Sequence, residues 1–494
     1  MPHPSPEHRL ARAPSRLPPF VLGSLLTLSA AARAADAVDN ASASATTVAE
    51  PAAIAASAAR PKELALPALE IVGFDLLLNR FNRAFGSGRD DYAVSLGSIR
   101  RNLKSGWGTD RDPFSINQFA HPYQGAMYHG FARSAGFDYW ESAGYTFAGS
   151  AFWEIFGEQT RPSRNDQVAS GIGGTFLGEA LFRMSNLVLE KGGGMSRPWR
   201  EAAAAAISPS TGFNRLVFAD RYGGIFSSHD APYFSRAQLG YVHSLREETG
   251  ITSSRFKPNE AQADFSIDYG SPGAKGYQYT RPFDYFNFQA TASSANGIEN
   301  VLTRGLLVGR PYEVGPDYRG VWGIYGSYDY ISPQTFRVST TAVSLGTTGH
   351  WWLTQDLGLE GTATAGVGYT AVGTANANTS GAATDRNYNY GVTPQALLAL
   401  RLTHTQRASL DVTGREYFVS NVASGTSGGH DNIVRLDAAL TVRVWKQHAI
   451  AIRYLGNRRD ANFAGAATGR QVRNTVGVFY TLLGQERFGS VDWR

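Results

Sequence analysis

From about residue 213 onward, apolar and polar positions alternate with a period of two. In Arg435–Val444, one face reads Leu436, Ala438, Leu440, Val442 and Val444, and the other reads Arg435, Asp437, Ala439, Thr441 and Arg443. Successive strand side chains point to opposite faces, so this pattern predicts strands with one apolar side. Leu357–Tyr369 sets Leu357, Leu359, Ala363, Ala365 and Val367 opposite Glu360, Thr362 and Thr364, while Gln395–Leu402 lines up Ala396, Leu398, Leu400 and Leu402. Asp264–Tyr269 and Val476–Leu482 follow the same period more loosely. Turn signals fall between these segments at Ser271-Pro272-Gly273, Ser332-Pro333, Gly425 to Gly429 and Asn457 to Asp460.

Two architectures give such a pattern. A soluble sandwich packs the apolar faces together, whereas a membrane barrel turns them to lipid and its polar faces to a lumen. Three features favour the barrel. The strands read long, near the ~10 residues that a tilted strand needs to cross a bilayer. Tyr325, Tyr328, Tyr330, Trp351 and Trp352 read as an interfacial girdle at strand ends. Arg401, Asp411, Arg415, Arg443 and Arg453 put charges mid-strand, where they can pair across a wet lumen. The expected fold is mainly β: a transmembrane antiparallel β-barrel of about 12 strands with a buried multi-helix block. The barrel is assigned to 213–494, and 63–110 to an N-terminal helix and a first strand over Asp91–Lys104.

A helical insert, assigned to 111–212, interrupts the alternation. Phe119–Arg133, Asp138–Gly157, Ser163–Glu190 and Pro198–Ile207 read as helices. Asp138 with Glu141, and Ser163 with Asp166, have the spacing of an N-cap and the third helical residue. In the third helix Ile172, Phe176, Leu177, Leu181, Met184, Leu187 and Val188 cover most of the circumference, leaving a polar stripe of Thr175, Glu179, Arg183 and Asn186. A helix apolar nearly all round is buried, so its charges must be paired. Glu179 and Arg183 are expected to pair, and Gly174 and Gly178 to admit a second helix closely. The insert is expected in or against the barrel.

Composition narrows the class. The chain of 494 residues has no Cys, which removes disulfides, thiol nucleophiles and cysteine-ligated metals. Arg9, Arg12 and Arg16 precede the apolar run Phe20–Ala32, and Ala32-Arg33-Ala34 fits a small-x-small cleavage site. Residues 1–34 therefore read as a signal peptide, and the Ala/Ser/Thr-rich 35–62 as a disordered linker. The formal charge of +5 falls to about +2 without Glu7, Arg9, Arg12, Arg16 and Arg33. A near-neutral chain has no electrostatic footprint for nucleic acid.

Five residues of the helical block are candidates for chemistry: His121, Glu154, Glu158, Asp166 and Glu179. Such a cluster can hold a metal or act as general acid and base, and Glu154 and Glu158 share a helix face. Against this, no His-Glu-x-x-His spacing occurs, Asp166 has a sufficient role at a cap, and Glu179 can form an i,i+4 pair with Arg183. Ser142, Ser150 or Ser163 with His121 is a candidate nucleophile arrangement, although no Gly-x-Ser-x-Gly elbow is present. Arg133, Arg183 and Arg215 either bind lipid phosphate or carboxylate bidentately or, as favoured, neutralise buried glutamates.

Several motifs recur in order: Asn117-Gln118-Phe119-Ala120-His121-Pro122-Tyr123-Gln124-Gly125, Ala132-Arg133-Ser134-Ala135-Gly136, Gly149-Ser150 with Trp153-Glu154, Pro162-Ser163 with Asn165-Asp166, Gly178-Glu179 with Arg183, and Gly212-Phe213-Asn214-Arg215. This set resembles an uncharacterised bacterial domain-of-unknown-function family, number 3943. The resemblance implies an outer-membrane-type protein and no particular activity.

The resulting reading is a bacterial outer-membrane β-barrel whose polar-striped helical block plugs the lumen or docks a partner, in an envelope structural or transport role. The alternative is a membrane-embedded enzyme acting on a lipid or glycan through the His/Glu/Asp residues of the block. The expected partners are the lipid bilayer and an envelope lipid or protein, without nucleic acid. No cofactor and no metal are expected.

Overall fold

A computed structural model describes residues 62–489, apart from 87–88, 193, 252, 254–255, 375–385, 387, 421–428, 464–467 and 486–487. The expected signal peptide, nearly all of the expected linker and most of the Gly425–Gly429 turn lie outside the described residues. Twelve strands close into one barrel, each pairing with its neighbours in chain order and β1 with β12. They are β1 Tyr233–Thr249, β2 Asn259–Tyr269, β3 Phe286–Ser293, β4 Gly297–Val314, β5 Tyr318–Ile331, β6 Phe336–Trp352, β7 Leu357–Thr374, β8 Tyr388–His404, β9 Ala408–Ser420, β10 Gly429–Trp445, β11 His448–Phe463 and β12 Gly469–Leu483. The barrel begins at Tyr233 rather than near 213, because Pro209–Val217 and Ala219–Tyr222 are helical.

The alternation sorts residues as expected. Leu436, Leu440 and Val444 face outward and are 43%, 46% and 66% exposed. The opposite face fills the lumen with charge. Arg401 of β8 reaches Asp268 of β2 at 2.8 Å, Arg236 of β1 reaches Asp411 of β9 at 2.8 Å, and Arg415 of β9 reaches Asp329 of β5 at 3.3 Å. Arg453 of β11 lies 3.3 Å from Asp264 of β2, and Arg473 of β12 lies 2.7 Å from Glu299 of β4. None of these strand pairs are neighbours, so side chains from opposite walls meet across the lumen. A cavity of about 110 Å³ remains among them.

The helical block comprises α1 Ala65–Phe85, α2 Leu96–Lys104, α3 His121–Ser134, α4 Tyr139–Phe152, α5 Gly174–Lys191, α6 Arg197–Ile207 and α7 Pro209–Val217. The expected cap at Asp138 is a full capping box with Glu141. Asp91–Lys104 is not a strand: Ser95 and Ser98 form a second capping box that opens α2. The glycines act as expected, since a Cβ on Gly174 would lie 2.6 Å from the Gly125 Cα of α3. Only side-chain-free backbones can cross so closely.

The block lies on the outside of the barrel wall. Gln238, Asp264 and Gln289 line the lumen, so their sequence neighbours Ala237, Phe265 and Ala290 face outward. The same outward row continues through Val301 to Tyr330. Phe265, Ile267, Phe286, Phe288, Tyr328 and Tyr330 are nevertheless buried, in one cluster with Phe176, Leu177 and Met184 of α5. Close van der Waals packing, with Phe176 seated against Gly326 of β5, holds the layer on a face that lipid would otherwise cover. The lumen is thus filled by the strands' own charged side chains, and the block forms a layer on the wall instead of a plug. Tyr328 and Tyr330 belong to that contact and Tyr325 is buried on the lumen face, so these three are not an interfacial girdle.

Candidate functional site

Three widened π turns shape the block. Ile116–Ala120 runs into α3, Trp153–Gly157 extends α4, and Gln167–Gly173 runs into α5. Such turns shift the phase of a helix and redirect its side chains. His121 follows the first turn, Glu154 lies within the second, and Asp166 immediately precedes the third. Their ligand atoms lie within 4.8 Å of one another, and all three residues are buried.

Each member is oriented by neighbours. The Oε2 of Glu154 accepts the Ser163 backbone N–H at 2.8 Å, while its Oε1 has no hydrogen-bond partner. Asp166 Oδ1 accepts the Asn165 amide at 2.9 Å, and Ser170 Oγ lies 3.3 Å from His121 Nδ1. Glu158 stands beside the group, its oxygens taken by Trp153 Nε1 at 2.7 Å and Thr160 Oγ1 at 2.9 Å. Burial, reinforced by the Asp166 and Glu158 charges, pushes the Glu154 carboxyl well above the usual range. Burial and the charge of Asp110 do the same to Asp166, and burial raises Glu158 to about 7. Asp112 is raised to about 6 by burial and Asp110.

Glu179 belongs to a different cluster. It accepts Arg133 Nε at 2.7 Å and Arg183 Nε at 2.8 Å, and His129 Nε2 lies 3.0 Å away. Arg183 continues to Asp284, in the β2–β3 loop, at 2.9 Å and to the Pro282 carbonyl at 2.6 Å. Burial alone would raise the Glu179 carboxyl, but Arg133, His129 and Arg183 outweigh it and hold it well below the usual range. The guanidinium groups of Arg133 and Arg183 also stack over Phe226, at 4.7 and 4.9 Å from its ring centre. The expected Glu179–Arg183 pair is therefore present and buried, and Arg133 and Arg183 neutralise a glutamate. Arg215 sits apart, in a bidentate pair with Glu201.

The five acid–base candidates thus split into His121, Glu154 and Asp166 with adjacent Glu158, and Glu179 elsewhere. Ser163 acts as a cap, accepting Asp166 N–H at 3.2 Å, and the serine that meets His121 is Ser170. His129, Asp110 and Tyr390 carry no expectation from the sequence, and Asn165 enters there only as part of a motif. His129 and Arg133 are four apart on α3, matching the spacing of Glu179 and Arg183, which is the signal that could have paired the two helices.

The barrel wall braces the site. The outward-facing Tyr390 of β8 accepts the amides of Gln118 at 3.0 Å and Asn165 at 2.8 Å. Tyr388 accepts Asn117 at 2.9 Å and donates to the Asp112 carbonyl at 2.7 Å, and Tyr328 donates to the Gln118 carbonyl at 2.6 Å.

Residues 106–210 match the domain of unknown function DUF3943. The matched segment contains both clusters except Phe226, Pro282 and Asp284. No curated protein matches the chain. Among solved structures, the chain is similar to KdgM porin (10% identity, TM-score 0.21, covering 49% of this chain and 98% of that one). It is also similar to NanC porin (8%, 0.24, 49% and 98%) and to the outer membrane channel DcaP of Acinetobacter baumannii (6%, 0.23, 51% and 97%).

Proposed function

We propose that the chain is a bacterial outer-membrane β-barrel with a structural role in the envelope: a non-conducting anchor that holds the helical block against its lipid-side wall as a docking element. The observation that carries this reading is the pairing of arginines and carboxylates from non-neighbouring strands across the lumen. A water-filled pore needs that space open, and breaking a buried pair to open it costs several kcal/mol. The apolar outer band supports the membrane setting, because large apolar patches on a soluble monomer are rare. Leu76, Leu77 and Phe85 of α1, Trp140 and Phe147 of α4, and Phe213 and Leu216 of α7 extend that exposed apolar surface over the block. Among the described residues no helix is long and apolar enough to cross a membrane.

Reconstitution in planar lipid bilayers tests the reading. The full-length protein is expected to insert without stable open-channel conductance. Regular ohmic steps of the kind an open barrel gives would overturn the anchor role and favour transport.

A further inference from the structure

The two buried acidic clusters are balanced differently. Glu179 is met by two guanidinium groups. Among the described residues, no Lys or Arg lies within ion-pair distance of Glu154, Glu158 or Asp166, and the next acids outward are Asp110 and Asp112. Asp112 is met by Arg386 at 3.5 Å. Glu154 is 2% exposed and leaves Oε1 without a partner. A buried polar atom in that state is costly unless something fills it.

We infer that His121, Glu154 and Asp166 form a binding site for a single divalent transition-type cation. The donor set is one imidazole and two carboxylates, which suits zinc or manganese better than an all-oxygen cation such as calcium. Zinc sits about 2.0–2.2 Å from nitrogen and oxygen ligands, so two ligand atoms of one ion stand at most about 4.4 Å apart. Around a tetrahedral ion that separation is about 3.4 Å, so ligand atoms that lie within 4.8 Å of one another draw together by up to about 1.4 Å on binding. The surroundings resemble a prepared shell around ligands. Ser170 engages His121 Nδ1, Asn165 holds Asp166, and the Ser163 N–H holds Glu154 Oε2. Outer contacts of this kind orient ligands and tune affinity. Glu158, with both oxygens engaged by Trp153 and Thr160, stays outside the ligand set. Three protein ligands would leave a coordination position for water or a ligand atom from outside. The π turns fit this role, because all three ligands are aimed by a departure from regular helix.

The experiment uses the untagged full-length protein in detergent, stripped with chelator and then equilibrated with zinc or manganese. Metal content is read by mass spectrometry and affinity by calorimetry. One cation per chain is expected, with Glu154→Gln weakening binding by at least about tenfold. Glu158→Gln is expected to bind as the parent does. Heat-modifiable gel mobility confirms that each variant keeps its barrel. If Glu154→Gln does not assemble, His121→Asn provides the same comparison. Failure of the stripped parent to take up either cation, or equal affinity in parent and ligand variant, would overturn the site. Neither outcome bears on the conductance test, so the two proposals fail separately.

Discussion

The side-chain amide of Asn165 donates to the Tyr390 hydroxyl across 2.8 Å. This bond joins the helical block to the outer wall of the barrel at the residue next to Asp166. The same hydroxyl accepts Gln118, so one strand tyrosine positions two segments of the site. The wall acts as a template for the block as well as its anchor.

Tyr390→Phe tests that template role. It strands the buried Gln118 amide, at a cost of about 1–3 kcal/mol, and leaves the Asn165 amide only its bond to Asp166. The block should become protease-sensitive near residues 117–166 while the barrel keeps its heat-modifiable mobility. Equal protease resistance in variant and parent would remove the bracing role.

Glu179→Ala leaves Arg133 and Arg183 buried without their shared carboxylate. Breaking such a pair costs about 3–5 kcal/mol. The block should unfold at a markedly lower temperature or fail to dock, whereas Glu201→Ala, at a half-exposed pair, should change stability far less. Thermal melts followed by near-UV circular dichroism check the contrast.

Gly174→Val forces a side chain into the α3–α5 crossing, where a Cβ already meets the Gly125 Cα at 2.6 Å. Overpacking costs about 1–3 kcal/mol or separates the helices. Gly144→Ala, at a glycine with open space around it, is the matched control. A lowered melting temperature only in Gly174→Val is the expected result.

Asp75 links α1 to α3 through Tyr128 and Gln124. Burial pushes its carboxyl from 3.8 up to about 7, against the pull of those two hydrogen bonds. The folded chain therefore keeps a proton that the unfolded chain releases. This contribution to stability is full below 3.8, falls as pH rises and is gone above about 7. Its size is on the order of 4 kcal/mol. The docking of α1 should be firmer at about pH 5 than at about pH 8. Asp75→Asn should flatten that dependence, as limited proteolysis within α1 would reveal.

Much of this was legible in the sequence. Period-two alternation located β7, β8 and β10, and caps at Asp138 and Ser163 located helix starts, because both patterns are local. The buried Glu179–Arg183 pair followed from a helix apolar almost all round. The outer position of the block was not legible. An outward strand face covered by lipid and one covered by a helix are both apolar, so Phe265, Phe286 and Phe288 read the same either way. Asn457–Asp460 reads as a turn but lies within β11, where Asp460 pairs near the strand end with the exposed Arg458 and with Arg470 of β12. The convergence of His121, Glu154 and Asp166 depends on three π turns, which leave no periodic signature. The sequence groups Glu179 with them, because charge type alone does not reveal which arginines lie nearby.

The proposed membrane setting requires that lipid cover the apolar outer face while the helical block covers β2 and β3. The chain has no cysteine, so single spin labels can be placed by cysteine substitution without background. Labels at Leu436→Cys and Leu440→Cys in proteoliposomes should collide with oxygen and not with a water-soluble nickel complex. A label at Asp437→Cys should be shielded from oxygen, and one at Phe288→Cys should be immobilised and shielded from both reagents. Equal nickel access at Leu440 and Asp437, or free oxygen access at Phe288, would contradict this arrangement.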